Sequence, residues 1–229
     1  MNAPAVGQGI YSVATASRLL GIPSSDIARW SFGYRSHGRR HPPVLITDLP
    51  EIDGHRAITF LELVEVMLIR GLRERGHSLQ EIRRAWEVLR RVFRTDHPFA
   101  LRICFEEPAG VYALIERETG EDLLVELRGH AQVVMFPAVE EYLRQLEFEI
   151  GVDAHHAARW HPAGREKPIV VDPAIAFGAP VIAGTAISTA VIAQAHATGS
   201  NADEIAWLYD VDAWKVDAAL DYERSMRAA

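Results

Sequence analysis

The sequence has little of the chemistry that cross-links proteins or anchors them in membranes. Its 229 residues include one cysteine, Cys104, which excludes an internal disulfide and any metal site built from several thiolates. No apolar run approaches the roughly eighteen residues of a transmembrane helix, and the N-terminal stretch lacks the basic start and apolar run of a signal peptide. We therefore expect a cytoplasmic protein that is held together by packing.

Charge is distributed unevenly along the chain. The net charge is −7, from 24 basic and 31 acidic residues. Residues 1–97 contain fourteen arginines against ten acidic residues (+4), residues 98–164 five basic against twelve acidic (−7), and residues 165–229 five against nine (−4). Because phosphate contacts need cations, any contact with nucleic acid is expected in the N-terminal part.

Two short helices are predicted near the N-terminus. The first begins after Ser12, a plausible N-cap, and ends at Gly21, and the second begins with Ser24 or Ser25 as its cap. Two short helices joined by a tight turn indicate a helix-turn-helix. We expect Trp30 to pack between them.

The pattern then changes to proline, glycine and basic residues. Residues 34–59 hold two apolar stretches, 44–46 and 57–58, which predict a two-stranded wing with a long tip. The wing carries three arginines, Arg35, Arg39 and Arg40.

Two longer helices follow, over about residues 60–73 and after Ser78. The second has apolar residues at steps of three and four, which form a seam that is either core or part of a dimer contact. The members of this seam are Leu79, Ile82, Trp86, Leu89 and Phe93.

After Pro98 the apolar period changes from 3.6 to 2. Alternation predicts a four-stranded antiparallel meander with strands near residues 101–106, 111–115, 123–127 and 132–136, covered by a helix over about 138–147. Residues 151–167 show no period and are interpreted as a linker.

The C-terminal part begins with two short strands at residues 169–171 and 181–182. Helices are predicted over about 189–197, 202–208 and 213–226, the last two forming a second helix-turn-helix pattern. The chain is thus predicted to be an α+β protein. Its parts are a winged helix-turn-helix domain (1–97), a β meander with a helix (98–150), a linker (151–167) and a small helical domain (168–229).

Two resemblances give these parts a function. The run from Tyr11 to Trp30, with the wing and the segment Gly76-His77-Ser78-Leu79, resembles the MerR-type winged-helix DNA-binding domain. The segment from Asp172-Pro173 to Gly184-Thr185 resembles an antitoxin-like domain of unknown function. The whole chain resembles the larger VapB-type antitoxins.

This resemblance implies that the protein neutralises a PIN-domain or PIN-like ribonuclease toxin and represses its own operon. The second helix would contact duplex operator DNA, since small hydroxyls and arginine reach base edges or phosphates from the start of such a helix. The candidate DNA-binding residues are Ser24, Ser25, Arg29, Arg35, Arg39 and Arg40.

The toxin contact is expected in the second half of the chain. A PIN-type pocket of carboxylates accepts a cation, and the available cations lie in the linker or on the last helix. The candidates are Arg159, Arg165 and Lys167, or Arg224 and Arg227. A homodimer is expected because helix-turn-helix proteins usually bind two half-sites, with the C-terminal helices preferred as its interface.

Other functions remain open at this stage. A transcription regulator whose central domain senses a small molecule is the alternative, and a dimerising scaffold without DNA contact is a third possibility. A metal site at His155, His156 and His161 lacks any recognisable spacing. No catalytic motif, metal site, cofactor or membrane contact is predicted.

Overall fold

The computed structural model describes residues 9–47, 49–51, 54–106, 144–149 and 156–228. They fall into two compact units, an N-terminal unit of residues 11–157 and a C-terminal unit of residues 158–229, to which the described residues before Tyr11 also belong. Each unit has its own buried apolar residues. The predicted mixture of helices and strands, with a helix-turn-helix at the N-terminus and a helical region at the C-terminus, is confirmed.

The first elements along the described chain are a short strand and two helices: β1 (Ile10–Ser12), α1 (Val13–Leu20) and α2 (Ser24–Phe32). The Ser12 hydroxyl accepts the Thr15 N–H at 3.0 Å, as its position before the helix predicts. The prediction of Ser24 or Ser25 as the cap of α2 is wrong. Pro23 precedes the helix without a side-chain cap bond, and its carbonyl accepts the N–H groups of Asp26 and Ile27.

A tight basic hairpin follows α2, made of β2 (Tyr34–Ser36) and β3 (Arg39–His41). His37 and Gly38 both have positive φ, 49° and 76°, as a two-residue hairpin turn requires. The predicted wing is therefore wrong in its strands, because the arginines form the paired strands themselves instead of lying in a long tip.

The segment after the hairpin belongs to the core. Val44 and Leu45 are both buried, and their N–H groups donate to the Trp30 carbonyl at 2.7 and 3.3 Å. Because these N–H groups are bonded to a carbonyl of α2, the segment does not form the predicted strand. The other predicted wing strand, β4 (Ala57–Thr59), pairs with β1.

Two longer helices complete the helical part of this unit: α3 (Phe60–Glu74) and α4 (Leu79–Phe93). Both begin with a capping box, formed by Thr59 with Glu62 and by Ser78 with Glu81. The seam of α4 is mainly core, because its three central members are buried: Ile82, Trp86 and Leu89.

The described part of the central region differs from the prediction. The first meander strand is wrong, because Pro98–Ala100 is a short 3-10 helix and α5 (Ile103–Glu106) is helical. The proline and buried Phe99, Ala100 and Leu101 form a compact turn without strand alternation. The predicted covering helix does not extend to residue 147, because β5 (Leu146–Phe148) is a strand, and residues 138–143 of this prediction lie outside the described residues. The other three predicted strands lie outside the described residues.

The C-terminal unit contains three antiparallel strands: β6 (Ala157–Trp160), β7 (Ile169–Val171) and β8 (Pro180–Ile182). Trp160 pairs with Val171, and Ile169 pairs with Ile182. The interpretation of residues 151–167 as a linker without regular structure is wrong over β6. Trp160 is buried, so this stretch gains its structure from long-range packing.

Three helices follow the strands, as predicted: α6 (Thr189–Ala197), α7 (Ala202–Tyr209) and α8 (Ala213–Ala228). Asn201 caps α7 in a capping box with Glu204. The strands and helices share one apolar core, whose fully buried members are Ile169, Ile182, Ile192, Ile205, Val216 and Ala219.

Candidate nucleic-acid interface

The start of α2 presents small polar side chains to solvent. Ser24 and Ser25 lie exposed in the first turn, and Arg29 lies one turn further along, also exposed. The first N–H groups of a helix lack intrahelical partners and carry partial positive charge. This end of α2 can therefore bind a phosphate through its backbone N–H groups. Arg29, one helical turn further along, supplies a positive charge on the same helix.

Arg29 connects α2 to the hairpin. Its guanidinium lies 5.2 Å from the centre of the Tyr34 ring and 3.3 Å from an Asp26 oxygen. Tyr34 in turn stacks on His41, with ring centres 4.4 Å apart and planes 8° apart. The stack places the exposed side of α2 and one face of the hairpin in a continuous surface.

The three hairpin arginines do not share one face. Arg35 is directly opposite Arg40, whereas Arg39 is opposite Ser36. Since side chains alternate across a strand, Arg35 and Arg40 share the face away from Tyr34, and Arg39 shares the face with the Tyr34–His41 stack. All three arginines are exposed.

The opposed arginines carry a cost in the free protein. Like charges directly opposite on neighbouring strands destabilise the pair. A phosphate between or beside them would remove that repulsion, and its contacts would release counterions. Binding of a polyanion would therefore stabilise the hairpin relative to the free protein.

The base of the hairpin is tied to the helical core. Arg83 on α4 donates from Nε to the Pro43 carbonyl at 2.8 Å and from Nη2 to the Pro42 carbonyl at 2.6 Å. Gly33, with φ 75°, has the His41 carbonyl oxygen 2.5 Å from where a Cβ would stand. These contacts hold the hairpin at a defined angle to α2.

Two residues of this surface were not singled out from the sequence. Tyr34 and His41 bridge α2 and the hairpin, and their pairing follows from the hairpin register. A two-residue His37-Gly38 turn between the basic segments is a hairpin signal of the kind that could have revealed it.

The candidate toxin-contact residues lie at different places in the C-terminal unit. Arg159 lies on β6 and donates from Nε to a carboxylate oxygen of the buried Asp172 at 2.6 Å. Arg165 and Lys167 are exposed in a turn where the Lys167 N–H donates to the Gly164 carbonyl at 3.2 Å. The segment is therefore a folded turn.

The two candidates on the last helix are both exposed. Arg224 forms an ion pair with Asp221 at 3.0 Å, and Arg227 lies in the last turn of α8. The five candidate cations therefore lie on three different segments: β6, the turn that follows it and α8. Among the described residues, no group of three or more side chains is arranged to hold a metal ion, and no helix there is long and apolar enough to cross a bilayer.

Comparison with protein families gives two matches. Residues 9–86 match the family described as "Putative DNA-binding HTH domain", which covers α1, α2, the hairpin, α3 and part of α4. Residues 169–222 match the family described as "Protein of unknown function (DUF433)". The first match supports the helix-turn-helix prediction for the N-terminal part.

Similar proteins cover nearly the whole chain. "Putative antitoxin VapB45" of Mycobacterium tuberculosis is 28% identical, over 93% of this chain and 92% of that protein. "Uncharacterized protein Rv2308" of the same organism is 26% identical, over 96% and 92%. The crystal structure of Rv2018 from M. tuberculosis is 25% identical, with a TM-score of 0.69, over 92% of this chain and 96% of that chain. The chain is thus similar to a helix-turn-helix, antitoxin-like protein along its length.

Proposed function

We propose that this protein is the antitoxin of a toxin–antitoxin pair, which binds and silences a PIN-type ribonuclease and represses the promoter of its own operon. The observation that carries the proposal is the similarity to a putative VapB antitoxin over 93% of the chain. The protein would act by binding, without catalysis of its own.

The DNA-binding half of the proposal is supported by the surface around α2. In a MerR-like domain the second helix would enter the major groove while the hairpin lies along the backbone. Ser24, Ser25 and Arg29 would then contact bases or phosphates, and the hairpin arginines would contact phosphates. Such contacts position the protein and give affinity that depends on salt.

The experiment measures binding of the full-length protein to duplex DNA from its own promoter at several salt concentrations. The triple variant R35A/R39A/R40A should flatten the slope of log K against log salt by about three units, one for each lost phosphate contact. Arg91→Ala, an exposed arginine on α4, is the matched control and should leave the slope unchanged. An unchanged slope in the triple variant would refute the hairpin assignment.

The toxin-binding half is supported by exposed cations in the C-terminal unit. A carboxylate pocket of a PIN-type nuclease would accept either Arg165 and Lys167 with Arg159, or Arg224 with Arg227. Ribonuclease assays with the product of the adjacent gene test both sets. Full inhibition by alanine variants of each set would show that neither enters the active site.

A homodimer is part of the proposal, since a two-fold protein matches a palindromic operator. Sedimentation of the full-length protein, alone and bound to promoter DNA, checks this stoichiometry. A monomer that binds DNA with full affinity would contradict it.

A further inference from the structure

Large apolar side chains are exposed beside the turn between α7 and α8. They lie outside the buried apolar core of the C-terminal unit. Trp207 is 85% exposed, Leu208 62% and Trp214 57%. Their neighbours Ile205 and Val216 are completely buried. The exposure is therefore a property of this face of the helices. Exposed tryptophans in a cluster are typical of binding surfaces.

These side chains lie on either side of one short turn. Trp207 and Leu208 lie in the last turn of α7, and Trp214 lies in the first turn of α8. Three residues, Asp210, Val211 and Asp212, separate the two helices, and Asp210 takes the left-handed conformation at φ 53°. The Val211 N–H closes the turn on the Ala206 carbonyl at 3.0 Å.

Carboxylates surround the apolar side chains. Asp203 precedes Trp207 by one helical turn, and Asp217 follows Trp214 by three residues, so each acidic side chain shares a helix face with an indole. Residues 201–222 contain six acidic residues and one lysine. The charge of Lys215 is paired, because its Nζ lies 2.9 Å from an Asp212 oxygen. The same ammonium lies 5.7 Å from the centre of the Trp214 ring. We call Trp207, Leu208, Trp214, Asp203 and Asp217 the acidic–aromatic face.

The charge of this face selects its partner. A second copy of the same face would bring carboxylates together, and DNA, RNA and anionic membranes would be repelled. The complementary surface is basic and has apolar recesses for flat rings. Protein grooves that bind single-stranded nucleic acid have this combination, with cations along the backbone track and stacking sites for bases.

We propose that the acidic–aromatic face docks into the RNA-binding groove of the ribonuclease partner. The indoles of Trp207 and Trp214 occupy sites for bases, and the carboxylates occupy sites for phosphates. The antitoxin thereby blocks access of RNA to the groove. This inference rests on the proposed function and adds to it the surface and the mode of inhibition.

The test uses the full-length protein and the product of the adjacent gene, with affinity measured by titration calorimetry. W207A/W214A should weaken binding by about 100-fold or more, because buried tryptophans dominate protein interfaces. Ile46→Ser is the matched control, because Ile46 is also exposed, at 42%, but lies in the N-terminal unit. It should leave the affinity unchanged.

Charge variants and RNA competition complete the test. D203N/D217N should also weaken binding, and it should reduce the dependence of affinity on salt. A non-cleavable single-stranded RNA should compete with the wild-type protein for the nuclease. Circular dichroism checks that each variant is folded. If W207A/W214A is unfolded, the affinity of D203N/D217N decides whether the acidic–aromatic face binds the nuclease.

The outcomes separate the inference from its premise. If the wild-type protein does not bind the nuclease, the proposed function and this inference both fail. If it binds, but both variants keep full affinity or the RNA binds at the same time, only the inference fails. If the tryptophan variant changes the oligomeric state and leaves the nuclease affinity unchanged, the face is a contact between copies and the inference is refuted.

Discussion

Removal of the Glu65 carboxylate should destabilise the N-terminal unit strongly. Glu65 lies on α3 and has no exposed surface. Its Oε1 accepts the Trp86 indole N–H at 2.8 Å and the Phe99 backbone N–H at 3.2 Å. Its Oε2 lies 3.2 Å from Nδ1 of His97. One side chain therefore connects α3, α4 and the start of the central region.

The magnitude follows from the groups that lose their partner. In Glu65→Ala the Trp86 and Phe99 N–H groups lose a buried acceptor, and each unsatisfied group costs about 1–3 kcal/mol. With the loss of the His97 contact and the cavity, the total is about 3–6 kcal/mol. This is a large share of the roughly 5–15 kcal/mol that stabilises a typical domain.

Glu65→Gln is the matched variant. The amide oxygen can take the position of Oε1, which serves both N–H donors, and the amide NH₂ can take the position of Oε2 and donate to Nδ1 of His97. We therefore expect E65Q to cost only about 1 kcal/mol. The difference between the two variants measures the hydrogen bonds more directly than either variant alone.

The comparison of wild type with E65Q also predicts how stability depends on pH. Burial raises the pKa of Glu65 above its ordinary value of 4.5, although hydrogen bonds from His97, Trp86 and Phe99 act in the opposite direction. A raised pKa means that the folded state binds the proton more tightly than the unfolded state, so stability declines as the pH rises above about 4.5. E65Q lacks this titration and should gain stability relative to wild type over that range.

The assay is urea unfolding followed by tryptophan fluorescence, with free energies extrapolated to water at several pH values. Full-length protein is used throughout. A loss below about 1 kcal/mol for E65A would refute the hydrogen-bond reasoning. A difference between wild type and E65Q that does not change with pH would refute the assigned pKa shift.

Three further predictions concern the hairpin and the C-terminal strands. Gly33→Ala should lower the free energy of unfolding in denaturant by about 2 kcal/mol or more. The added Cβ would clash with the His41 carbonyl oxygen, and residue 33 has a positive φ. An unchanged free energy of unfolding would contradict the rigid base of the hairpin. Arg40→Ser should raise the thermal midpoint slightly while weakening DNA binding, since it removes the repulsion with Arg35; a lower midpoint would contradict the repulsion. Arg159→Ala should lower stability by about 1 kcal/mol through the loss of its bond to a buried carboxylate, and unchanged stability with lost toxin inhibition would instead favour a direct contact.

Local signals in the sequence were sufficient for most helices. Ser12 and Ser78 cap α1 and α4 where the pattern predicts, because a cap bonds only to the next few residues. The seam of α4 and the three C-terminal helices follow from periodicity in the same way. The helix-turn-helix could be predicted because its two helices and their turn lie within one short segment.

Strand pairing was predicted less well, because a strand depends on partners that are distant in the chain. The stretch Val44–Ile46 was predicted as a strand, yet Val44 and Leu45 are buried against α2 with N–H groups bonded to Trp30. The stretch around Trp160 was predicted as a linker, yet it forms β6 beside β7. In both cases the short sequence has too few residues to show a period, and long-range contacts decide the conformation.

The sequence alone thus determined the longer helices, the caps of α1 and α4 and the basic character of the N-terminal part, because these depend on neighbouring residues and on composition. Only the tertiary structure decided which side chains share a surface. The hairpin register separates Arg39 from Arg35 and Arg40, and the two tryptophans on either side of the α7–α8 turn are left exposed. Both arrangements depend on how the backbone reverses direction, which composition and periodicity do not specify.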